Sequence, residues 1–238
     1  TSMVTKVKNS EIVDWSNRNL DSEAKPVWLQ KLMKGNSEAF KKEFEIDNSY
    51  VIKYGIASGR EKADMDAFYN ELDELLEMVK DQLLERLVIQ GNKRVKNFPF
   101  LMGQGIWIDS EKLSEDDEVG EVLKHGTLSV GFIGLAECLK ALIGKHHGES
   151  KEAQNLGLEI IGYMRKRMDE EARRTGLNWS LIATPAEGLS GRFVRIDKKK
   201  FGIIPGVTDR DYYTKSFHVP VYHDISVFEK IKKEDSAI

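Results

Sequence analysis

The hydrophobic positions of this chain follow a helical period over two long stretches. Between residues 61 and 90, apolar side chains recur every three or four residues, which is the spacing of one face of an α-helix. Charged residues cover the other face, and Gly91 and Asn92 favour a stop there. We therefore predict a core-packing helix over residues 61–90, with an inner face of Phe68, Leu72, Leu75, Val79, Leu83 and Leu87.

Four more stretches favour helices. Residues 150–175 predict a second long helix that ends at Gly176, and residues 135–143 predict an apolar helix that ends at Gly144. Residues 114–124 predict a short helix whose acidic first turns suit the positive helix start. Residues 224–232 predict a last short helix before a polar tail.

Other apolar stretches favour strands. These are residues 50–54, 98–108, 125–134, 178–184 and a later strand that includes Ser216, Phe217 and His218. Gly103, Gln104 and Gly105 interrupt the second of them, and glycine in a strand suggests a close backbone approach. The approaching group is either a ligand, with Gln104 aimed at it, or another backbone. Turns are expected at residues 198–200 and 205–206.

The first 54 residues are less regular. Aromatic residues are scattered there among many charges, and Pro26 favours the first turn of a helix over residues 25–33. We interpret this part as a solvated layer of short elements.

Composition excludes several functions. A chain of 238 residues can bury a sizeable core, and a net charge of -3 gives no reason to expect a nucleic-acid partner. We find no apolar run of about 20 residues and no signal-peptide pattern, so we expect no membrane partner. The single cysteine, Cys138, excludes an internal disulfide and favours a reducing compartment, the cytoplasm.

Two features that resemble reactive sites have ordinary explanations. Cys138 lies on an apolar helix, which is typical of a small buried hydrophobe. The adjacent His146 and His147 diverge, and no partner lies at metal-ligand spacing. We therefore predict no metal site and no catalytic role for Cys138.

The strongest candidate site follows the strand over residues 178–184. A loop of small residues leads from Thr184 into a short helix, and such a strand-loop-helix turn leaves backbone N–H groups and a helix dipole that favour an anion. Thr184 and Ser190 add hydroxyl donors, and Arg192 adds a cation. The turn lacks P-loop spacing. A well-capped turn that binds nothing is therefore an open alternative.

Several runs, in order, resemble the anaerobic (class III) ribonucleoside-triphosphate reductases. The resemblance extends from about residue 82 to about residue 231, roughly two thirds of the chain. The matching runs are NFPFLMGQG (97–105), GTLSVGFIGLAE (126–137), NWSL (178–181) with TPAEGLSGRF (184–193), and GVTD (206–209) with SFHVP (216–220).

The resemblance implies a fold, a reaction and a site. The fold is α/β, part of the ten-stranded α/β barrel of glycyl-radical enzymes, with an unmatched N-terminal segment at residues 1–57 and a partial catalytic barrel at residues 58–238. The reaction is the anaerobic reduction of ribonucleoside triphosphates, in which a glycyl radical oxidises a cysteine and formate supplies electrons. The implied substrate-binding residues are Thr184, Pro185, Ala186, Glu187, Gly188, Ser190, Gln104, Ser216 and His218.

The same resemblance implies partners and shows departures. A radical-SAM activating enzyme and a homodimer are expected of the complete enzyme. This sequence shows neither the glycyl-radical motif nor the cysteine-rich zinc module, and nothing in it reproduces the radical cysteine motif. Lys215 occupies a position that is usually asparagine. We therefore expect no turnover by the isolated chain.

Other functions stay open at this point. The chain is alternatively a non-catalytic binding or assembly module, or one subunit of a split glycyl-radical enzyme. A pyruvate formate-lyase relative is disfavoured, because the paired active-site cysteines of that enzyme are missing.

Overall fold

Helices and one pair of strands build the part of the chain that the computed structural model describes, residues 50–184 and 187–235. These residues belong to one compact unit. The prediction of a solvated layer with a helix at Pro26 lies outside the described residues. The elements are α1 (Tyr50–Tyr54), α2 (Met65–Gly91), α3 (Gly120–Leu123), β1 (Thr127–Phe132), α4 (Leu135–Ile143), α5 (Lys151–Thr175), β2 (Asn178–Ala183), α6 (Glu187–Phe201) and α7 (Val227–Asp235).

Local signals define the long helices. The Asp64 carboxylate accepts a hydrogen bond from the Ala67 N–H at 3.1 Å and caps α2, and the Ser150 hydroxyl caps α5 in the same way. Gly176 ends α5 with a φ of 68°, a left-handed conformation that glycine adopts without strain. The helices predicted over residues 61–90, 135–143 and 150–175 are confirmed as α2, α4 and α5.

The sheet consists of β1 and β2, which pair in parallel. Their register runs from Thr127 opposite Asn178 to Phe132 opposite Ala183, so the two strands end level with each other. The chain between them forms α4 and α5, as a parallel crossover requires. Both strands were predicted, and both are confirmed.

The main core lies between the sheet and helices α2, α4 and α5. Fully buried side chains there include Phe68, Leu139, Leu142 and Met168. Burying each one contributes roughly 1.5–3 kcal/mol relative to leaving it exposed. The described part of the fold therefore rests mainly on the apolar faces that the helical periods predict.

A buried ion pair joins the polar parts of α2 and α5. Lys80 Nζ lies 3.2 Å from Glu171 Oε2, and both side chains are almost fully buried. Arg174 also pairs with Glu171, and Glu77 also pairs with Lys80, so neither buried charge is left alone. Pairing of this kind is what makes the burial of a charge tolerable.

The strand predicted over residues 50–54 is wrong, because this segment forms helix α1. Val51 and Ile52 are buried in the main core, so packing overrides their preference for strands. The segment sits very close to α4: a Cβ added to Gly55 would lie 1.9 Å from the Ala141 carbonyl oxygen. The division at residues 57 and 58 remains a prediction.

The strand predicted over residues 98–108 is also wrong. A 3-10 helix (Val95–Asn97) is followed by successive turns, and Gly105 has a φ of 66°. The apolar residues of this stretch serve a second, smaller core instead, in which Met102 packs with Val95 and the Trp107 Nε1–H donates to the Val122 carbonyl at 2.7 Å. An apolar run can fill a core from turns as well as from a strand.

Three further predictions need correction. The acidic helix over residues 114–124 is reduced to α3, because the Asp117 carboxylate accepts from the Ser114 N–H at 2.7 Å and holds a turn. Residues 198–200 are the last turn of α6 and not a loop. Ser216 lies in a turn, and the strand expected there is limited to one antiparallel bridge between Ile133 and Lys215.

The turn at residues 205–206 is confirmed. The last helix, predicted over residues 224–232, is present as α7 and begins later, at Val227.

His147 fastens the C-terminal segment to the core. Its ring is fully buried and packs on the ring of Phe217, with the two centroids 4.6 Å apart. Its Nε2 lies 3.1 Å from the Phe217 carbonyl oxygen. A carbonyl can only accept, so Nε2 carries the proton, and Nδ1 finds no hydrogen-bond partner among the described residues. Burial lowers the pKa of His147 to about 4.

We predict that Gly55→Ala destabilises the protein, because the new methyl group would collide with the backbone of α4. Overpacking of this kind costs about 1–3 kcal/mol. Gly162→Ala is the control: it lies inside α5 with nothing within 4 Å of the new Cβ, so higher helix propensity should stabilise by up to about 1 kcal/mol. Urea unfolding measures both, and equal stability of the two variants would contradict the close packing of residues 50–58.

We also predict that His147 makes stability depend on pH. The folded pKa, about 4, lies below the unfolded value of roughly 6.5, so the unfolded state binds more protons between these values. The contribution is complete above about pH 6.5 and is lost as the pH falls towards 4, by at most about 3 kcal/mol. Urea unfolding of wild type and His147→Gln across this range should show a shallower pH dependence in the variant; parallel curves would contradict the assignment.

Candidate functional site

The carboxyl ends of β1 and β2 form the edge on which the candidate site is built. Because the register ends with Phe132 opposite Ala183, both strands release the chain at the same edge of the sheet. Each is followed within four residues by a helix start, α4 after Gly134 and α6 at Glu187. Helix starts carry free N–H groups and the positive end of the dipole, which favour anions.

Residues 213–216 cross between these two helix starts. The Tyr213 N–H donates to the Ser190 carbonyl at 3.3 Å, and the Tyr213 hydroxyl donates to Asp197 Oδ2 at 2.7 Å, which attaches the segment to α6. Lys215 bridges to Ile133, just beyond the end of β1. Burial and the nearby Asp197 raise the pKa of Tyr213, so this tyrosine stays a neutral donor.

Glu137 holds the middle of this segment. Its carboxylate is almost fully buried in the first turn of α4 and accepts from the Thr214 N–H at 3.1 Å and from the Thr214 hydroxyl at 2.7 Å. Burial raises the pKa of Glu137, while the hydrogen bonds from Thr214 favour the ionised form. The Thr214 carbonyl in turn accepts from the Gly134 N–H at 2.7 Å.

Ser216 follows in a strained conformation. It is buried and has a φ of 54°, a left-handed value that non-glycine residues adopt rarely. Lys215 on one side is bridged to Ile133, and Phe217 on the other is held by His147. The flanking contacts therefore impose the conformation of Ser216.

The structure brings together part of the predicted phosphate loop. Thr184 is half-buried directly after β2, Gly188 is exposed in the first turn of α6, and Ser190 is buried beside Tyr213. Pro185 and Ala186 lie outside the described residues, and Glu187 begins α6. The predicted strand and helix are thus present in the predicted order, and the helix is longer than expected.

His218 is turned towards α7. Its side chain is exposed, and Nδ1 lies 3.2 Å from Glu234 Oε2. The same carboxylate accepts from the Val219 N–H at 2.9 Å. These contacts tie the segment after Ser216 to α7, so in this arrangement His218 pairs with a carboxylate of its own chain.

Gln104 belongs to another region. It is exposed and borders a hollow of about 310 Å³ with Met102, Ser110 and Glu111. The neighbouring Trp107 packs near Gly126, immediately before β1 begins. Gln104 therefore lies beside the second, smaller core, near the amino end of β1. Thr184 lies instead at the carboxyl end of β2.

Sequence reasoning missed the residues that hold the site. Glu137 belongs to a matching run, but its partner Thr214 lies 77 residues away and only the fold joins them. The usable signal was a carboxylate in the first turn of an otherwise apolar helix. His147 was considered only as a metal ligand, and its role in holding Phe217 has no local signal.

Residues 50–184 and 187–235 contain no group of three or more His, Cys, Asp or Glu side chains placed to hold a metal ion. Within the same ranges, no helix combines the length and the apolar character that a membrane span requires. Cys138 is half-buried, and burial raises the pKa of its thiol to about 12.

Comparison with known proteins gives consistent matches. The chain is 36% identical over 176 residues to an anaerobic ribonucleoside-triphosphate reductase of Salmonella typhimurium, and 35% identical over 176 residues to that of Escherichia coli. Each match covers 73% of this chain and 24% of the relative. The enzyme of the same name from Enterobacteria phage T4 is 33% identical over 169 residues, 70% of this chain and 26% of that protein.

The chain therefore spans about a quarter of the length of these curated relatives. A sequence model of one family, described as anaerobic ribonucleoside-triphosphate reductase, matches residues 52–237. That range takes in β1, β2, the helix starts at their carboxyl ends and the segment that crosses between them. This chain belongs to the anaerobic ribonucleoside-triphosphate reductase family.

Proposed function

We propose that this chain binds the phosphate groups of a ribonucleoside triphosphate within an enzyme that reduces it to the deoxyribonucleoside triphosphate. One observation carries the proposal: β1 and β2 end level with each other, and α6 begins at the edge they share. The names of the relatives supply the substrate class, and the helix start supplies donors suited to a polyphosphate.

We further propose that the described sheet is part of a larger barrel. The parallel pair β1 and β2, with α4 and α5 between them, has the form of one repeat of an α/β barrel. An isolated pair of strands leaves edges that need partners. In the ten-stranded α/β barrel expected of this family, the remaining strands come from the rest of the complete enzyme.

Within the site, the proposed roles follow from position. The N–H groups at Gly188 and its neighbours in the first turn of α6 donate to phosphate oxygens, and the Thr184 hydroxyl donates from the end of β2. Pro185, Ala186 and Glu187 complete the loop by resemblance to the family. Ser216 borders the same edge, whereas Gln104 and His218 retain their proposed roles from the resemblance alone.

The radical chemistry expected of the family does not fit the residues of this chain. Cys138 is the only cysteine in the sequence and lies inside α4, and nothing in the sequence reproduces the radical cysteine motif of the family. We therefore assign no radical step to this chain. The glycyl radical, formate, the radical-SAM activating enzyme, the homodimer and the cytoplasmic location are proposals for the complete enzyme.

A second function of another class is favoured for the chain by itself. A sequence without the radical motifs of the family fits a non-catalytic binding or assembly module, or one subunit of a split glycyl-radical enzyme. Both functions include binding of the nucleotide and differ in whether the radical chemistry takes place in the same polypeptide as this chain.

We predict that Gly188→Pro weakens nucleoside triphosphate binding. Proline removes one N–H from the first turn of α6, where a helix tolerates it. A hydrogen bond to a charged group contributes about 1.5–3 kcal/mol, so the dissociation constant for CTP should rise about tenfold or more. Isothermal titration calorimetry of the 238-residue chain with CTP measures the effect.

Gly188→Ala is the matched comparison. It keeps the N–H, and the new Cβ meets nothing within 4 Å, so CTP affinity should stay within about twofold of wild type on the scale of these energies. Cytidine, which lacks phosphate, should show no difference among the three proteins. Equal CTP affinity of the proline and alanine variants, with equal melting temperatures, would contradict the proposed donors.

We also predict that the isolated chain produces no deoxyribonucleotide. Incubation with CTP and formate without oxygen, followed by chromatography, should yield no dCTP, because this sequence shows neither the glycyl-radical motif nor the radical cysteine motif of the family. Any dCTP above the level of a protein-free control would show that this chain carries its own radical site and would overturn the assignment.

A further inference from the structure

The contacts of Glu137 point to a role that neither the family match nor the phosphate loop assigns. We propose that Glu137 is a positioning residue, whose carboxylate fixes Thr214 and thereby holds residues 213–216 beside the start of α6 in the form that binds the triphosphate. This inference rests on the proposed function, because it specifies what keeps that site in shape.

The first support is that the turn at the start of α4 takes up every polar group of Thr214. The N–H and the hydroxyl both donate to the Glu137 carboxylate, and the carbonyl accepts from the Gly134 N–H. Thr214 is buried, so water cannot replace these bonds without opening the structure. Its position is therefore determined by α4 and not by its own neighbours in the chain.

The second support is that the adjacent residue is attached to the other helix start. Tyr213 contacts α6 through the Ser190 carbonyl at 3.3 Å and through the buried Asp197 carboxylate at 2.7 Å. Two consecutive residues thus connect the starts of α4 and α6. Release of Thr214 would let the segment shift against Ser190, which lies in the proposed phosphate loop.

The third support is chemical, because Thr214 presents two buried donors that need acceptors. The two carboxyl oxygens of Glu137 accept from both of them. A glutamine in its place would offer one oxygen and would turn an N–H₂ group towards a donor. The buried carboxylate is retained despite its desolvation, which fits a requirement for this geometry.

The experiment measures CTP binding by calorimetry for wild type, Glu137→Gln, Thr214→Val and Thr214→Ser. Glu137→Gln and Thr214→Val each leave a buried polar group without its hydrogen-bond partner, so each should raise the dissociation constant about tenfold. Thr214→Ser keeps the hydroxyl and should restore affinity to within about twofold. The double variant Glu137→Gln with Thr214→Val should be little weaker than either single variant, since both remove the same contact.

Asp64→Ala separates positioning from general stability. It removes the carboxylate that caps the start of α2, away from the helix that carries Glu137, and should lower the melting temperature without changing CTP affinity. Should Asp64→Ala lose affinity in proportion to its melting temperature, as Glu137→Gln does, the role of Glu137 would be structural only and the inference would be wrong. Thr214→Val carries the test if Glu137→Gln does not fold.

The outcomes also separate this inference from the proposed function. If the wild-type chain does not bind CTP, the proposed function fails and the inference falls with it. If wild type binds CTP but folded Glu137→Gln and Thr214→Val bind within twofold of it, only the positioning role is overturned.

Discussion

The parallel pairing of β1 with β2, in a register that ends both strands together, is the constraint on which the rest of the structure depends. A parallel pair cannot be closed by a tight turn, so the chain must cross over through α4 and α5. The same register brings the starts of α4 and α6 to one edge. The start of α4 is occupied by Thr214, whereas the start of α6 has an exposed residue, Gly188, where N–H groups favour an anion.

How much of this fold the sequence predicts depends on how local each signal is. The helical periods and the caps at Asp64 and Ser150 lie within a few residues of one another, so α2 and α5 were predictable. Residues 50–54 have a strand-like composition, yet Val51 and Ile52 become helical because the core accepts their side chains from α1. No short window of sequence contains that information.

The candidate site shows the same division. The strand and the helix on either side of the proposed phosphate loop could be predicted, because each has a local sequence pattern. The contact between Glu137 and Thr214 could not, since the two residues are 77 positions apart and the segment that contains Thr214 was expected to lead into a strand. Local sequence thus indicates the elements around the proposed site, and long-range packing determines what holds them together.

The backbone strain at Ser216 also shows that long-range contacts hold this part of the chain. Ser216 holds a left-handed conformation, which costs a non-glycine residue about 1–2 kcal/mol and persists only where neighbouring contacts impose it. Those contacts are Thr214 on Glu137 before it and Phe217 on His147 after it. Both anchors use buried ionisable side chains, which are costly to retain in a core. Glu137 and His147 thus hold the chain on either side of Ser216. The segment beside the carboxyl ends of β1 and β2 therefore has a defined geometry at the proposed site.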